Sequence, residues 1–151
     1  MKEKFIRRFP NILEENFMLV TFFVSTTSML GSLYYSEIEK LDPCSLCWYQ
    51  RIFMYPLVFI SAVAYLRKDY KAYFYVLPLS LIGILIAAYH YYIEQTSSDS
   101  IIGNCSASVP CNEVVLSYLG FITIPFMSFM AFLTINIVTL GYVFLKNRHG
   151  K

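Results

Sequence analysis

A chain of 151 residues with 57% hydrophobic and 15% charged side chains, and a mean hydropathy of +0.53, is too apolar for an ordinary soluble domain. Its length admits a handful of membrane crossings of about 20 residues each with short connections, which excludes a separate soluble substrate-binding domain. The net charge of +2 is small and spread along the chain, which excludes nucleic acid as a partner. Partners must therefore meet this protein in or at the membrane lipid.

In chain order, Phe5, Ile6, Phe9, Ile12 and Leu13 recur at helical spacing and predict a segment lying in the cytoplasmic interface, interrupted at Pro10. A first span is expected over 17–35, a retained signal anchor because no A-x-A cleavage site follows its long apolar run. Acidic Glu37, Glu39 and Asp42 close it. Spans over 48–66 and 72–93 follow, with kinks expected at Pro56 and Pro78. The last apolar stretch, Val114 to Leu145, exceeds one crossing, and Pro125 marks its division into an interfacial piece over 114–120 and a span over 121–145. The expected fold is an all-α, four-transmembrane-helix bundle forming a single membrane domain over 1–151.

Orientation follows from the basic residues. Lys2, Lys4, Arg7, Arg8, Arg67, Lys68, Lys71, Lys146, Arg148 and Lys151 lie in the tails and the second-to-third connection. The other two connections hold Lys40 alone, with Arg51 just inside a span. The positive-inside rule then places both termini in the cytoplasm and the 36–47 and 94–113 loops outside. Tyrosines near span ends, Tyr34, Tyr73, Tyr92 and Tyr142 among them, fit interfacial anchoring, whereas Tyr55 reads as apolar filling.

All four cysteines fall in those two outward loops, as the close pairs Cys44 with Cys47 and Cys105 with Cys111. A static disulfide across C-x-x-C would close a tiny loop and stabilise little, so redox function explains the spacing better than stability. A four-Cys zinc site across both loops is the lesser alternative, because C-x5-C is an unusual ligand spacing, and no metal is expected. Asp42, Pro43 and Cys44 read as N-cap, first and second residue of the second helix, which puts Cys44, Cys47 and Arg51 on one face. Helix dipole, free N–H groups and guanidinium would each favour a thiolate there. An arginine one turn inside a membrane is a functional candidate by default; snorkelling to headgroups is the bland reading.

The run Asp42-Pro43-Cys44-Ser45-Leu46-Cys47-Trp48-Tyr49-Gln50-Arg51 resembles the P-C-x-L-C-x-x-Q/E-R signature of the DsbB disulfide-bond formation proteins. Pro110-Cys111 through Tyr118-Leu119-Gly120-Phe121-Ile122-Thr123-Ile124-Pro125 resembles their final segment, in the short BdbC branch of Gram-positive bacteria. Two departures stand out. Gln50 replaces the Glu of some members, and only five residues separate Cys105 from Cys111, against a much longer interval in Gram-negative members. The resemblance implies a thiol:quinone oxidoreductase of the bacterial cytoplasmic membrane. Such an enzyme reoxidises an extracytoplasmic thioredoxin-like (DsbA/BdbD-like) dithiol oxidase and passes the electrons to a membrane quinone, menaquinone or ubiquinone. It also implies that Cys105 and Cys111 exchange with the partner, that Cys44 and Cys47 are the quinone-linked pair with Cys47 at the quinone, and that Arg51, Gln50 and His90 help bind it. On the residues alone, His90 reads equally well as an interfacial histidine bonded to a neighbour.

Other classes predict other layouts. A VKOR-like enzyme should show a different cysteine arrangement, and a CcdA-type electron carrier should bury its cysteines within spans. A four-span structural protein with inert loop disulfides is the non-enzymatic rival. Thiols that cycle with quinone supply would separate it from the oxidase.

Overall fold

The computed structural model describes the backbone of residues 2–40, 42–96, 117–118 and 122–149, and the side chains of 16–40, 42–96 and 123–148. Its elements are α1 (Lys2–Glu37), α2 (Ser45–Arg67), α3 (Tyr73–Thr96), β1 (Ser117–Tyr118), β2 (Ile122–Thr123) and α4 (Ile124–His149). Four stretches are long and apolar enough to cross a membrane: Asn16–Glu37, Ser45–Arg67, Tyr70–Thr96 and Ile124–Arg148. The all-α, four-span expectation holds, with each predicted span recovered to within a few residues.

Three local readings change. The first helix runs unbroken through Pro10, so the proline gives up one backbone bond without ending the helix, and there is no separate leading segment. The last helix begins at Ile124, which puts Pro125 in the first turn, where a missing N–H costs nothing. Before it, Ser117 and Tyr118 pair antiparallel with Thr123 and Ile122, a two-residue ladder where the sequence suggested an interfacial piece; the rest of 114–121 lies outside the described residues. Helices α2 and α3 continue through Pro56 and Pro78.

The connection between α2 and α3 sets their antiparallel packing. Lys68 takes the left-handed conformation at φ 53°, and the Lys68 and Asp69 amides donate to the Tyr65 and Ala64 carbonyls at 3.3 and 2.9 Å, closing the last turn of α2. The Asp69 carboxylate then accepts from the Lys71 amide at 3.0 Å and caps a short 3-10 turn that leads into α3. Each helix packs mainly on its sequence neighbours and α1 closes on α4, giving a four-membered ring.

Phe17, Met18, Leu57, Val76, Phe132, Ile135 and Tyr142 are buried at its centre. Tyr142, expected as an interfacial anchor, instead stacks on Phe17 with centroids 4.2 Å apart and meets Tyr73 edge-on. Phe17, at the start of the Asn16–Glu37 stretch of α1, faces it, so the ring is more completely desolvated between helices than at headgroups. Gly83 lets α3 approach α4, since a methyl there would lie 2.7 Å from Cδ1 of the fully buried Phe132. One polar link crosses the same interface: Ser80 Oγ donates to Asn136 Oδ1 at 3.3 Å, and Asn136 Nδ2 to the Phe132 carbonyl at 2.9 Å. Large apolar side chains such as Phe23, Phe59, Leu66, Phe74, Leu85 and Phe144 point outward. That would be a liability in water and suits a lipid-facing surface.

Candidate functional site

At the opposite end from Tyr142, Cys44, Leu46 and Ile93 form a second buried cluster, with Cys47, Ile86 and Tyr89 packed on it. Cys44 itself is the N-cap of α2, extended at φ −65° and ψ 167°, and its Sγ accepts the Cys47 amide N–H at 3.4 Å. The expected cap at Asp42 is therefore displaced by two residues. The cysteine sulfur does the work usually given to Ser or Asp, satisfying one of the orphan N–H groups of the first turn. Only Cys47 and Arg51, four apart, then share a helical face. Both cysteines are free thiols, with their sulfurs 3.1 Å apart.

Helix α3 completes the group. His90, only 3% exposed, sets Nε2 3.6 Å from Cys44 Sγ, and its Nδ1 lies 3.1 Å from the amide nitrogen of buried Gln50. With the Gln50 amide donating to Nδ1, the ring proton sits on Nε2 and points at the sulfur. The resulting order, Gln50 to His90 to Cys44, is that of an orienting group, a hydrogen-bond donor and a sulfur. The structure links Gln50 to His90 and His90 to Cys44.

The Cys44 thiol is lowered from 9.0 to about 4. The hydrogen bond from the Cys47 thiol contributes most, and His90 and the Cys47 amide add to it against the opposing effect of burial. Between those two values the folded, reduced protein carries one proton fewer than the unfolded chain, so its stability rises with pH across that window and is lost as pH falls through about 4. Alkylation of Cys44 by a small neutral reagent, mapped by peptide mass, is accordingly expected to be flat from about pH 5 to 8 and to fall in more acid solution. His90→Ala should move that fall upward. A rate that climbs steadily toward pH 9 in the wild type would mean Cys44 is an ordinary thiol.

Arg51 makes its hydrogen bonds to α1. Its Nε donates to Ser32 Oγ at 2.8 Å, and Nη2 donates to the Ser32 carbonyl at 3.0 Å and to Ser36 Oγ; the guanidinium lies 5.3 Å from the Trp48 ring centre. It thus ties α2 to α1 and is not free to snorkel. Its Nη1 has no partner among the described residues.

Two features escaped the sequence. Ser32 and Ser36, one turn apart on α1, gave no signal because serines are common in membrane helices. Glu94, four residues after His90 on α3, is 7% exposed with Oε2 unpartnered among the described residues. Its signal was its spacing from His90, obscured because it falls where the span was expected to end. Cys105 and Cys111 lie outside the described residues.

Comparison with known proteins settles the family. The model for "Disulfide bond formation protein DsbB" matches residues 14–141, which include all four cysteines, Gln50, Arg51 and His90. The chain belongs to the DsbB family. It is similar to the probable disulfide formation protein C of Bacillus cereus, 42% identical over 135 residues that make up 89% of this chain and 96% of that one. It is also similar to the disulfide bond formation protein C of Bacillus subtilis, 46% identical over 80% of this chain and 88% of that protein. A prophage-derived disulfide bond formation protein B of the same organism is 46% identical over 78% and 79% of the two chains. No solved structure matches. As a DsbB-family chain with four membrane-spanning helices, this is a multi-pass bacterial membrane protein of disulfide bond formation.

Proposed function

We propose that this protein is a thiol:quinone oxidoreductase that reoxidises a thioredoxin-like dithiol oxidase outside the membrane and delivers the electrons to a membrane quinone. The observation that carries this reading is the position of the Cys44–Cys47 pair. Two free thiols 3.1 Å apart sit at the head of a membrane-spanning helix, one of them buried against His90 and the other half-exposed. A soluble dithiol cannot enter the bilayer and a hydrophobic quinone cannot leave it, so a thiol pair at the boundary is what a relay between them requires.

The residues around Cys47 fit a quinone. Trp48, Tyr49 and Ile52 are exposed on the same first turns of α2, and Arg51, one turn along the face of Cys47, keeps Nη1 without a partner among the described residues. Arg51, with His90 and Gln50 behind the sulfurs, would hold the headgroup, and when bound the quinone supplies a two-electron, two-proton sink. His90 and the Cys47 amide stabilise charge on Cys44, and Gln50 fixes the ring. Cys105 and Cys111 are assigned to exchange with the partner through mixed disulfides, and the direction of each exchange follows the difference in potential, about 30 mV per 1.4 kcal/mol for two electrons.

Purified protein, a quinone and a reduced thioredoxin-like partner, followed by quinone absorbance and partner thiols together, should show catalytic and roughly equimolar loss of both. Partner oxidation without quinone consumption would sink the reading. The positive-inside bias supports cytoplasmic termini and outward cysteine loops. Membrane-impermeant thiol reagents added to intact cells after mild reduction should then label Cys105, Cys111 and half-exposed Cys47; labelling that needs lysed cells would invert the orientation and remove the extracytoplasmic role.

A further inference from the structure

The atoms Cys44 Sγ, Cys47 Sγ and His90 Nε2 all lie within 4.8 Å of one another. Metal–sulfur bonds of about 2.3 Å and metal–nitrogen bonds of about 2.0–2.1 Å at tetrahedral angles put ligand sulfurs about 3.8 Å apart and sulfur and nitrogen about 3.6 Å apart. The Cys44–His90 separation of 3.6 Å is already at that spacing. The sulfur pair, at 3.1 Å, has to open by only about 0.7 Å to reach it.

Gln50 supplies what lies behind the ring. A ligating histidine donates its other ring N–H to an acceptor, and the Gln50 amide 3.1 Å from Nδ1 can turn its oxygen there in place of its nitrogen. Charge favours the same occupant: two thiolates, an imidazole and a dication sum to zero, so the assembly suits a buried site at the edge of a membrane. Soft thiolates select zinc-class ions over magnesium or calcium.

We propose that the reduced Cys44–Cys47 pair together with His90 is a binding site for a zinc-class divalent cation, and that metal binding and disulfide formation at this pair exclude one another. Binding expels the protons the two thiols still carry and moves no electrons. Oxidation by the quinone of the proposed function, on which this exclusion rests, would transfer two electrons and those protons to it and join the sulfurs in one S–S bond, which withdraws two of the three ligands. Extracytoplasmic zinc thereby holds the enzyme in its reduced form until the metal leaves. This site differs from a four-Cys arrangement across both loops because it needs neither Cys105 nor Cys111.

The test is a titration of full-length protein in detergent, reduced with a phosphine, with Cd2+ followed by its ultraviolet thiolate charge-transfer band and with Zn2+ in competition. One ion per reduced chain is expected and none on the oxidised chain. The Cys105→Ser/Cys111→Ser double variant should bind with unchanged affinity, Cys44→Ser should not bind, and His90→Ala should bind at least about tenfold more weakly. Gln50→Glu, which conserves volume and keeps an acceptor for Nδ1–H, should bind at least as tightly as the wild type and guards against loss through misfolding. Binding to the oxidised chain, wild-type affinity in His90→Ala, weakened binding in Gln50→Glu or loss of binding in the double variant would each overturn the site. No quinone or partner enters the measurement, so its failure is separable from failure of the oxidoreductase reading.

Discussion

Serine at Cys44 or Cys47 is expected to limit the protein to at most one exchange event per molecule, and serine at Cys105 or Cys111 to stop partner oxidation before the first. The effect is total because the reaction passes electrons by making and breaking sulfur–sulfur bonds, which a hydroxyl cannot form. The two pairs should fail differently because they occupy different places. Cys44 is buried at the cap of α2 and Cys47 lies in its first turn, where burial limits attack by a soluble partner's thiolate. The loop over 94–113, about 20 residues, can reach as far as ~60 Å when extended, ample to carry a second pair from a soluble partner to the first. Rapid mixing with reduced partner reads the difference. In the Cys105→Ser or Cys111→Ser variants, partner thiols should persist while quinone still keeps Cys44 and Cys47 oxidised. In the Cys44→Ser or Cys47→Ser variants, a stoichiometric burst at most should precede arrest. A partner trapped on Cys47 in preference to the second loop would contradict this order.

The spans were legible because a membrane helix announces itself by length and apolarity alone, and the four stretches fall within a few residues of where composition placed them. The ends were less legible because they depend on single side chains. At Cys44 the sequence offered a familiar capping residue two positions earlier, and only the folded chain shows a sulfur accepting the Cys47 amide. The nearness of Cys44 to Cys47 and the shared face of Cys47 and Arg51 were readable from spacings of three and four residues, although Cys44 caps the helix from outside it. The contacts of His90 were not, because Cys44 and Gln50 reach it across the α2–α3 interface, 46 and 40 positions away in the chain. Tyr142 failed for a related reason: at a helix end, hydropathy cannot tell an aromatic facing headgroups from one stacked on a neighbouring helix.

Arg51 carries the last expectation, because its hydrogen bonds to α1 and its proposed place at the quinone can be separated by different variants. If Nη1 holds a quinone carbonyl, Arg51→Ala removes a charge-assisted hydrogen bond of about 1.5–3 kcal/mol, and the apparent quinone KM should rise roughly tenfold or more. The same change also releases α1, since Nε and Nη2 hold the Ser32 side chain and carbonyl at 2.8 and 3.0 Å. Arg51→Lys should recover little of either function, because an ammonium cannot span two acceptors on α1 and still present a donor to the lipid side. Ser32→Ala/Ser36→Ala cuts the side-chain tether and leaves the guanidinium in place. That double variant, which loses two charge-assisted hydrogen bonds between helices, should unfold at lower temperature while its quinone KM changes by less than about threefold. Thiol exchange with the partner, measured separately, should be normal in all three. A KM defect in the serine variant as large as in Arg51→Ala would make Arg51 a positioning residue that acts through α1. Wild-type quinone kinetics in Arg51→Ala would leave it the tether alone.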